Sequence, residues 1–300
     1  MAKHKNDNKP NEQSQVKIIV GSIDKINDPR MLEFLPPEIK EALLKELNGG
    51  GGEAKPEKEQ EEPKKAKEKI KFDFDMVNCN TDLKALFTKL INSKHKDYCI
   101  LLYGQPGSGK SYAAQYLAQE LGMTFIKKRA SDLIDKWIGA TERNIQAAFQ
   151  EAKKKKGILV LDEADSFLFD RRKAERDFEC ASTNELLTQM EDHPYPFICT
   201  TNLKEKLDKA SFRRFLFKIR FDYMTDKNII AGVKTYFGKQ FKLTKEQLAK
   251  LKYITAGDFK IAKRKMEVLE DGQYTNDKIY EYLLAEQEEK DIKISEQISL

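Results

Sequence analysis

Three hundred residues with Lys+Arg 54 against Asp+Glu 49 carry a formal charge of +5, and 34% of the chain is charged against 40% hydrophobic. Both signs are interspersed, which argues against a dedicated nucleic-acid binder. Cys79, Cys99, Cys180 and Cys199 form no CxxC pair, and His4, His95 and His193 lie far apart, so neither a zinc site nor a disulfide framework is indicated. The start, MAKHKNDNKP, lacks the apolar stretch of a signal peptide. No apolar run approaches the ~18 residues of a membrane span, and the expectation is a soluble, cytoplasmic protein.

The first predicted unit, residues 1–68, is a charged, flexible tail. Within it LPPEIKEALLKELNGG reads as one short helix: Pro36 and Pro37 suit its start, Ile39, Ala42, Leu43 and Leu47 share a face, and Gly49 suits its end. That helix reads first as a marginal one in a flexible tail, and alternatively as a docking helix for a partner or adaptor. The following NGGGGEAKPEKEQEEPKKAKEK is a linker with little to bury.

From about Lys71 short apolar strands alternate with amphipathic helices. The strands are CILLY (99–103), TFIKK (124–128), GILVL (157–161), FICTT (197–201) and FKIRF (217–221). Ala114, Leu117 and Leu121 share one helical face, and Ile145, Ala148, Phe149 and Ala152 another. Buried runs alternating with helices predict an α/β fold, a parallel sheet covered on both sides over residues 69–223. After Phe221 the strands stop. Ile230, Val233 and Phe237 mark a helix, then come QLAKL, DFKIAKRKMEVL and DKIYEYLLAEQ, a small helical domain over residues 224–300.

Gly104, Gln105, Pro106, Gly107, Ser108, Gly109, Lys110 and Ser111, with Tyr112 next, lie after a predicted strand and open a predicted helix. This is the G-x-x-x-x-G-K-[ST] pattern in its structural context. The glycines let backbone N–H groups curl round phosphate oxygens, and the helix start adds positive potential. Lys110 reaches the β- and γ-phosphates, and Ser111 offers its hydroxyl to Mg²⁺. GILVLDEADSF brings Asp162 to the carboxyl end of a core strand, where it can hold Mg²⁺. Glu163 follows and can orient or deprotonate an attacking water. Asp165 reads as structural or surface-facing rather than catalytic. Asn202, at the tip of FICTTN, can bind phosphate or position water, since a buried amide needs a partner.

In this order the motifs resemble those of the AAA+ ATPases, within them the AAA unfoldase branch, from about residue 71 to 290. GQPGSGKS resembles Walker A, LVLDEADS Walker B and TTN sensor 1. NELLTQMED resembles the helix before sensor 1, and ITAGDF (254–259) the lid turn where many members have Gly-Ala-Asp-Leu. The resemblance implies a three-layer αβα P-loop NTPase domain followed by a helical lid, binding ATP and Mg²⁺. DKASFRRF resembles the arginine-finger segment. Many members separate two finger arginines by a short insert, whereas Arg213 and Arg214 are adjacent here, and either is a candidate. A finger serves the neighbouring subunit, so the resemblance implies a homo-oligomeric ring, a hexamer in the family. KWIGATERNIQAAFQEA resembles the first pore loop and its following helix, which makes Lys136, Trp137, Ile138 and Gly139 the expected grip on a threaded protein client. Arg171, Arg172 and Arg176 are candidates for a second pore loop.

The function so implied is ATP-driven threading, unfolding or remodelling of protein. Two alternatives are a nucleic-acid motor or clamp-loader-like ATPase and a nucleotide-dependent scaffold. Lys153 to Lys156 favour the first only superficially, because they end a helix where cations suit the dipole. Glu163 argues against the second, since a switch needs no water activator.

Overall fold

The computed structural model describes residues 69–298, apart from Ile138, residues 169–176, residues 204–206 and Asp208. The tail helix, the candidate second pore-loop arginines and Asp208 therefore lie outside the described residues. Residues 68–300 form one unit of the chain, and the description below concerns that unit.

The elements follow in chain order. A 3₁₀ turn at Phe74–Met76 precedes β1 (Asn78–Cys79), α1 (Leu83–Asn92), β2 (Cys99–Gly104), α2 (Lys110–Glu120) and β3 (Phe125–Arg129). Next come α3 (Ala130–Leu133), α4 (Ala140–Lys155), β4 (Ile158–Asp162), α5 (Asp177–Asp192) and β5 (Phe197–Thr201). After α6 (Lys209–Arg214) and β6 (Phe217–Asp222) the chain is helical: α7 (Asp226–Tyr236), α8 (Lys245–Lys250), α9 (Ala256–Leu269) and α10 (Asn276–Ile298).

The sheet has six strands in the order β1-β6-β2-β5-β4-β3. The five expected strands run parallel, and each lies within one residue of its predicted start. One strand was not expected: β1 pairs antiparallel with β6, Asn78 opposite Asp222. It blunts the sheet edge that β6 would otherwise leave open.

Successive side chains of a strand point to opposite faces, and the burial follows that rule. Ile100 and Leu102 of β2 pack with Phe87 of α1 and with Ala113 and Leu117 of α2. Leu101 and Tyr103 pack on the other face with Ile145 and Phe149 of α4 and Leu186 of α5. Both faces are thus covered, which is why β2, β4 and β5 read as unbroken apolar runs rather than alternating ones. All four residues expected on the buried face of α4 are buried there: Ile145, Ala148, Phe149 and Ala152. The lysines after them end α4 as expected, with Lys155 bound to Glu151 at 2.7 Å.

A third core belongs to the helices after β6. Ile229, Val233, Leu248, Ile254, Phe259, Met266, Ile279 and Leu283 form it, and Met76 from the 3₁₀ turn joins them. Ile229 rather than Ile230 faces this core; Ile230 is 39% exposed. Gly232 explains the close approach, since an added Cβ would stand 2.6 Å from the Phe259 ring. The leading segment is stitched to α7 by polar contacts too: Asn228 Nδ2 donates to the Asp75 carbonyl at 2.7 Å, and Thr235 Oγ1 to Asp73 Oδ2 at 2.9 Å. No helix among the described residues is long and apolar enough to cross a membrane.

Candidate nucleotide-binding site

The carboxyl ends of β2, β4 and β5 lie side by side because β5 stands between β2 and β4 in the sheet. That order alone brings together sequence stretches that begin about residues 104, 162 and 200. Together they line a cleft of ≈ 330 Å³. Its walls are Pro106, Gly107, Gly109, Lys110, Ser111 and Tyr112 from the glycine-rich loop and α2, Asp162 and Glu163 from β4, and Thr200, Thr201 and Asn202 from β5. A concave site of this size suits a small organic ligand.

The loop leaves the sheet at Gly104, where φ is 126°. A Cβ there would lie 2.0 Å from the Phe221 carbonyl oxygen, so the adjoining strand leaves no room for a side chain. Gly107, at φ 74°, turns the loop under the helical region: its carbonyl accepts from Gly257 N at 2.8 Å. A Cβ on Gly107 would come within 2.9 Å of Thr255 Oγ1. The ITAGDF turn is therefore in direct contact with the loop, a contact that strings of residues about 150 positions apart do not announce. The start of α2 has no side-chain cap. The amides of its first turn, which have no intrahelical acceptor, and the helix dipole favour an anion at this end.

Lys110 is only 7% exposed, and its Nζ donates to the carbonyls of Gly104 at 2.9 Å and Gln105 at 2.7 Å. Burial lowers its pKa from 10.5 to about 8, against the opposing pull of the Asp162 charge. A group so placed gains charge-assisted hydrogen bonds when an anion enters, replacing bonds to neutral carbonyls.

Asp162 collects donors on both carboxylate oxygens. Ser111 Oγ donates to Oδ1 at 3.1 Å, Thr200 Oγ1 donates to the same oxygen, and Lys127 Nζ pairs with Oδ2 at 2.5 Å. Burial pushes the carboxyl pKa up, but the Lys127, Thr200 and Ser111 contacts outweigh it and hold the pKa below the ordinary value. Asp162 and Ser111 thus present hard oxygen donors within hydrogen-bond distance of each other, the donor type that Mg²⁺ takes. Glu163 is exposed in the cleft and has φ 59°, ψ 43°. Asp165 accepts from Thr201 Oγ1 at 2.9 Å.

The polar groups at the tip of β5 are arranged differently from expectation. Thr200 and Thr201, 2% and 1% exposed, are the buried ones, and each is satisfied by an aspartate from the neighbouring β4 segment. Asn202 is exposed and lines the cleft, so burial does not force its amide to find a partner. Lys127 was not expected at all. It lies beside Lys128 and Arg129 on the edge strand β3, where charged residues are usual, so nothing in the sequence singles it out.

Two groups of expected residues stand apart from the cleft lining. Arg213 and Arg214 close α6. Arg214 pairs with Glu191, whereas Arg213 is exposed and makes no hydrogen bond or ion pair among the described residues. Trp137 lies in the turn before α4 and is 69% exposed. Its backbone is nevertheless fixed: its N–H donates to Asp135 Oδ1 at 3.0 Å, and its carbonyl accepts from Ala140 N at 3.1 Å. Lys136 Nζ stands 5.5 Å from the indole centroid, and Gly139 caps α4 at φ 76° with open space around it.

A family model described as ATPase family associated with various cellular activities (AAA) matches residues 100–223. Uncharacterized protein ORF529 of Acidianus two-tailed virus is 36% identical over 191 residues, 55% of this chain and 36% of that protein. Spastin of Homo sapiens is 31% identical over 166 residues, 53% of this chain and 27% of that protein. Vacuolar protein sorting-associated protein 4 of Dictyostelium discoideum is 35% identical over 122 residues, 39% of this chain and 28% of that protein. The chain therefore spans little more than a third of the viral relative and less than a third of the other two. It carries, at residues 100–223, a domain of the AAA ATPase family.

Proposed function

We propose that the chain is one subunit of a homo-oligomeric, hexameric ring that hydrolyses Mg²⁺-ATP in order to thread, unfold or remodel protein clients in the cytoplasm. Residues 69–223 form the nucleotide-binding subdomain, 224–300 the lid, and the 1–68 tail recruits an adaptor. When bound, Mg²⁺-ATP supplies the scissile phosphoanhydride and a counter-charge to its phosphates. The loop from Gly104 to Ser111 wraps the phosphates, with Tyr112 beside it, and Lys110 turns from its two carbonyls to the β- and γ-phosphates. Ser111 and Asp162 hold the cation. Glu163 takes the proton of the attacking water, and Asn202 positions that water. Arg213 reaches into the next subunit's cleft to stabilise charge on the transferring phosphoryl group.

The observation that carries the remodelling part is Trp137. An indole costs free energy to leave in water, and this one is 69% exposed on a backbone pinned by Asp135 and Ala140. A rigid, displayed aromatic offers contact area with little entropy to lose, which suits gripping a chain of almost any sequence. The test is Trp137→Ala. A core tryptophan would cost about 3–5 kcal/mol on truncation; an exposed one changes stability within about 0.5 kcal/mol. The variant is expected to melt as the wild type and to keep its basal ATPase rate, while client-stimulated hydrolysis and unfolding are lost. Trp137→Phe keeps most of both, since the grip needs an aromatic face more than an indole N–H. Wild-type unfolding of a client by the Ala variant would overturn the assignment.

A pH dependence follows from Lys110. Its ammonium is charged below about 8 in the folded protein and neutral above, whereas an ordinary lysine holds its proton to 10.5. Phosphate contact favours the charged form, so binding above that pH takes up as much as about one proton. ADP affinity is expected to fall by up to about tenfold per pH unit above 8. The unliganded fold gains stability from this group over the same rise, because the unfolded chain then binds more protons than the native one. Calorimetric titration in two buffers of different ionisation enthalpy reads the proton uptake. An affinity flat from pH 7 to about 10 would show that Lys110 keeps its proton over that range, against the lowered pKa that its burial implies.

A further inference from the structure

β3 and β4 pair in parallel with Lys127 opposite Val160 and Arg129 opposite Asp162. Side chains two residues apart share a face, so Lys127 and Asp162 are diagonal neighbours on the face that carries Val160. α2 covers that face, and its Ala113, Ala114 and Leu117 share one buried cluster with Val160. Ser111, in the first turn of the same helix, meets Asp162 from above while Lys127 meets it from the next strand. The result is a carboxylate whose Oδ1 takes hydroxyls from Ser111 and Thr200 and whose Oδ2 takes the Lys127 ammonium at 2.5 Å. The Asp162 side chain is 18% exposed and that of Lys127 37%. One partner is thus held in the cleft, and the other has its stem in the sheet and room to swing outward.

We propose that Lys127 is a built-in counter-ion that stands in for the divalent cation on Asp162 while the cleft is empty, and that it sets how strongly nucleotide and metal binding reinforce one another. This rests on the reading of Ser111 and Asp162 as the cation's holders. A metal ion reaching Asp162 must displace the ammonium or share the carboxylate with it, and two cations within a few ångströms repel strongly in a half-buried site. Every divalent ion bound there therefore loses the free energy of the resident pair. A neutral residue at position 127 removes the competitor and leaves a half-buried carboxylate without its resident cation. An arginine keeps the charge.

The measurement is the ADP dissociation constant of the full chain in EDTA divided by that in saturating Mg²⁺, obtained by calorimetry or by a fluorescent ADP analogue. Lys127→Gln is expected to raise this ratio on the order of tenfold over wild type, through tighter binding in Mg²⁺. Lys127→Arg is expected to stay near wild type. Lys127→Thr, a residue suited to a strand, repeats the neutral substitution if Lys127→Gln folds poorly. If Lys127 merely supported the strand, its substitution would raise both dissociation constants alike and leave their ratio unmoved. An unchanged or reduced ratio in the neutral variants, with ADP bound to both proteins, overturns the counter-ion assignment alone. So does an arginine variant that behaves as the glutamine one. Failure of the wild type to bind ADP in either condition overturns the nucleotide site and this assignment together.

Discussion

Glu163→Gln is expected to leave ATP binding intact and to slow hydrolysis by about 10²- to 10⁴-fold, the range that positioned proton transfer contributes. The substitution preserves size and removes only the basic carboxylate. Geometry supports the choice of this residue over its neighbours. Asp162 has both oxygens engaged by Ser111, Thr200 and Lys127, and Asp165 is held by Thr201. Glu163 is the acidic side chain of this segment that stands exposed in the cleft. Its backbone adds a second argument. At φ 59° a non-glycine residue gives up roughly 1–2 kcal/mol, and such conformations persist where the surroundings over-determine them, commonly at functional sites. Here β4 fixes one side, and the 3₁₀ turn at Ala164–Ser166, with Asp165 tied to Thr201, fixes the other. Glutamine bears the same strain as glutamate, so the melting temperature should not move. Single-turnover hydrolysis and nucleotide affinity, measured on one preparation, separate the effects. Hydrolysis at the wild-type rate would move the base to another residue.

Much of this arrangement was legible from residue order alone, and the exceptions share a cause. The central strands β2, β4 and β5 could be read because each is buried on both faces and so appears as a continuous apolar run, whereas β3 and β6, only partly buried, were read from shorter apolar stretches between helices. The glycine-rich loop between strand and helix could be read because its spacing is local: strand, glycines, Lys110, Ser111 and helix all fall within residues 99–120. What escaped depends on register or on packing between distant segments. β1 is two residues long, too short to carry a period. Met76 belongs to the core of the helices after β6, about 150 positions away, and nothing in its own neighbourhood says so. Lys127 meets Asp162 only because β3 and β4 pair with Lys127 opposite Val160; a shift of one residue would turn it to the other face. In α7 the sequence offers Ile229 and Ile230 side by side, and Gly232 decides between them by letting Phe259 close on that face. At the tip of β5 the buried polar residues proved to be the threonines, since hydroxyls can be satisfied in place by the aspartates of the adjacent strand's end, while Asn202 is left to the cleft.

Arg213→Ala is expected to leave ATP affinity nearly unchanged and to cut turnover by about 10³-fold or more, the scale on which an arginine finger acts. Two adjacent arginines could not be told apart by spacing, but successive helical residues point about 100° apart, and α6 gives them different surroundings. Arg214 turns back to Glu191 of α5. Arg213 projects to solvent with no partner among the described residues, which leaves five N–H donors free for a planar, bidentate grip on phosphate oxygens. Arg214→Ala should therefore lose an exposed ion pair, which is worth little to stability, and retain most turnover. A guanidinium supplied from outside the cleft requires a head-to-tail assembly, and this makes the prediction sharper than a simple loss. Mixing Arg213→Ala with Lys110→Ala, each nearly inactive alone, should restore part of the activity, because some interfaces then join an intact cleft to an intact finger. Sedimentation should show ATP-dependent assembly beyond a dimer over the same concentration range. A protein that stays monomeric with full ATPase activity, or a mixture no more active than its parts, would mean that Arg213 acts within its own chain or not at all.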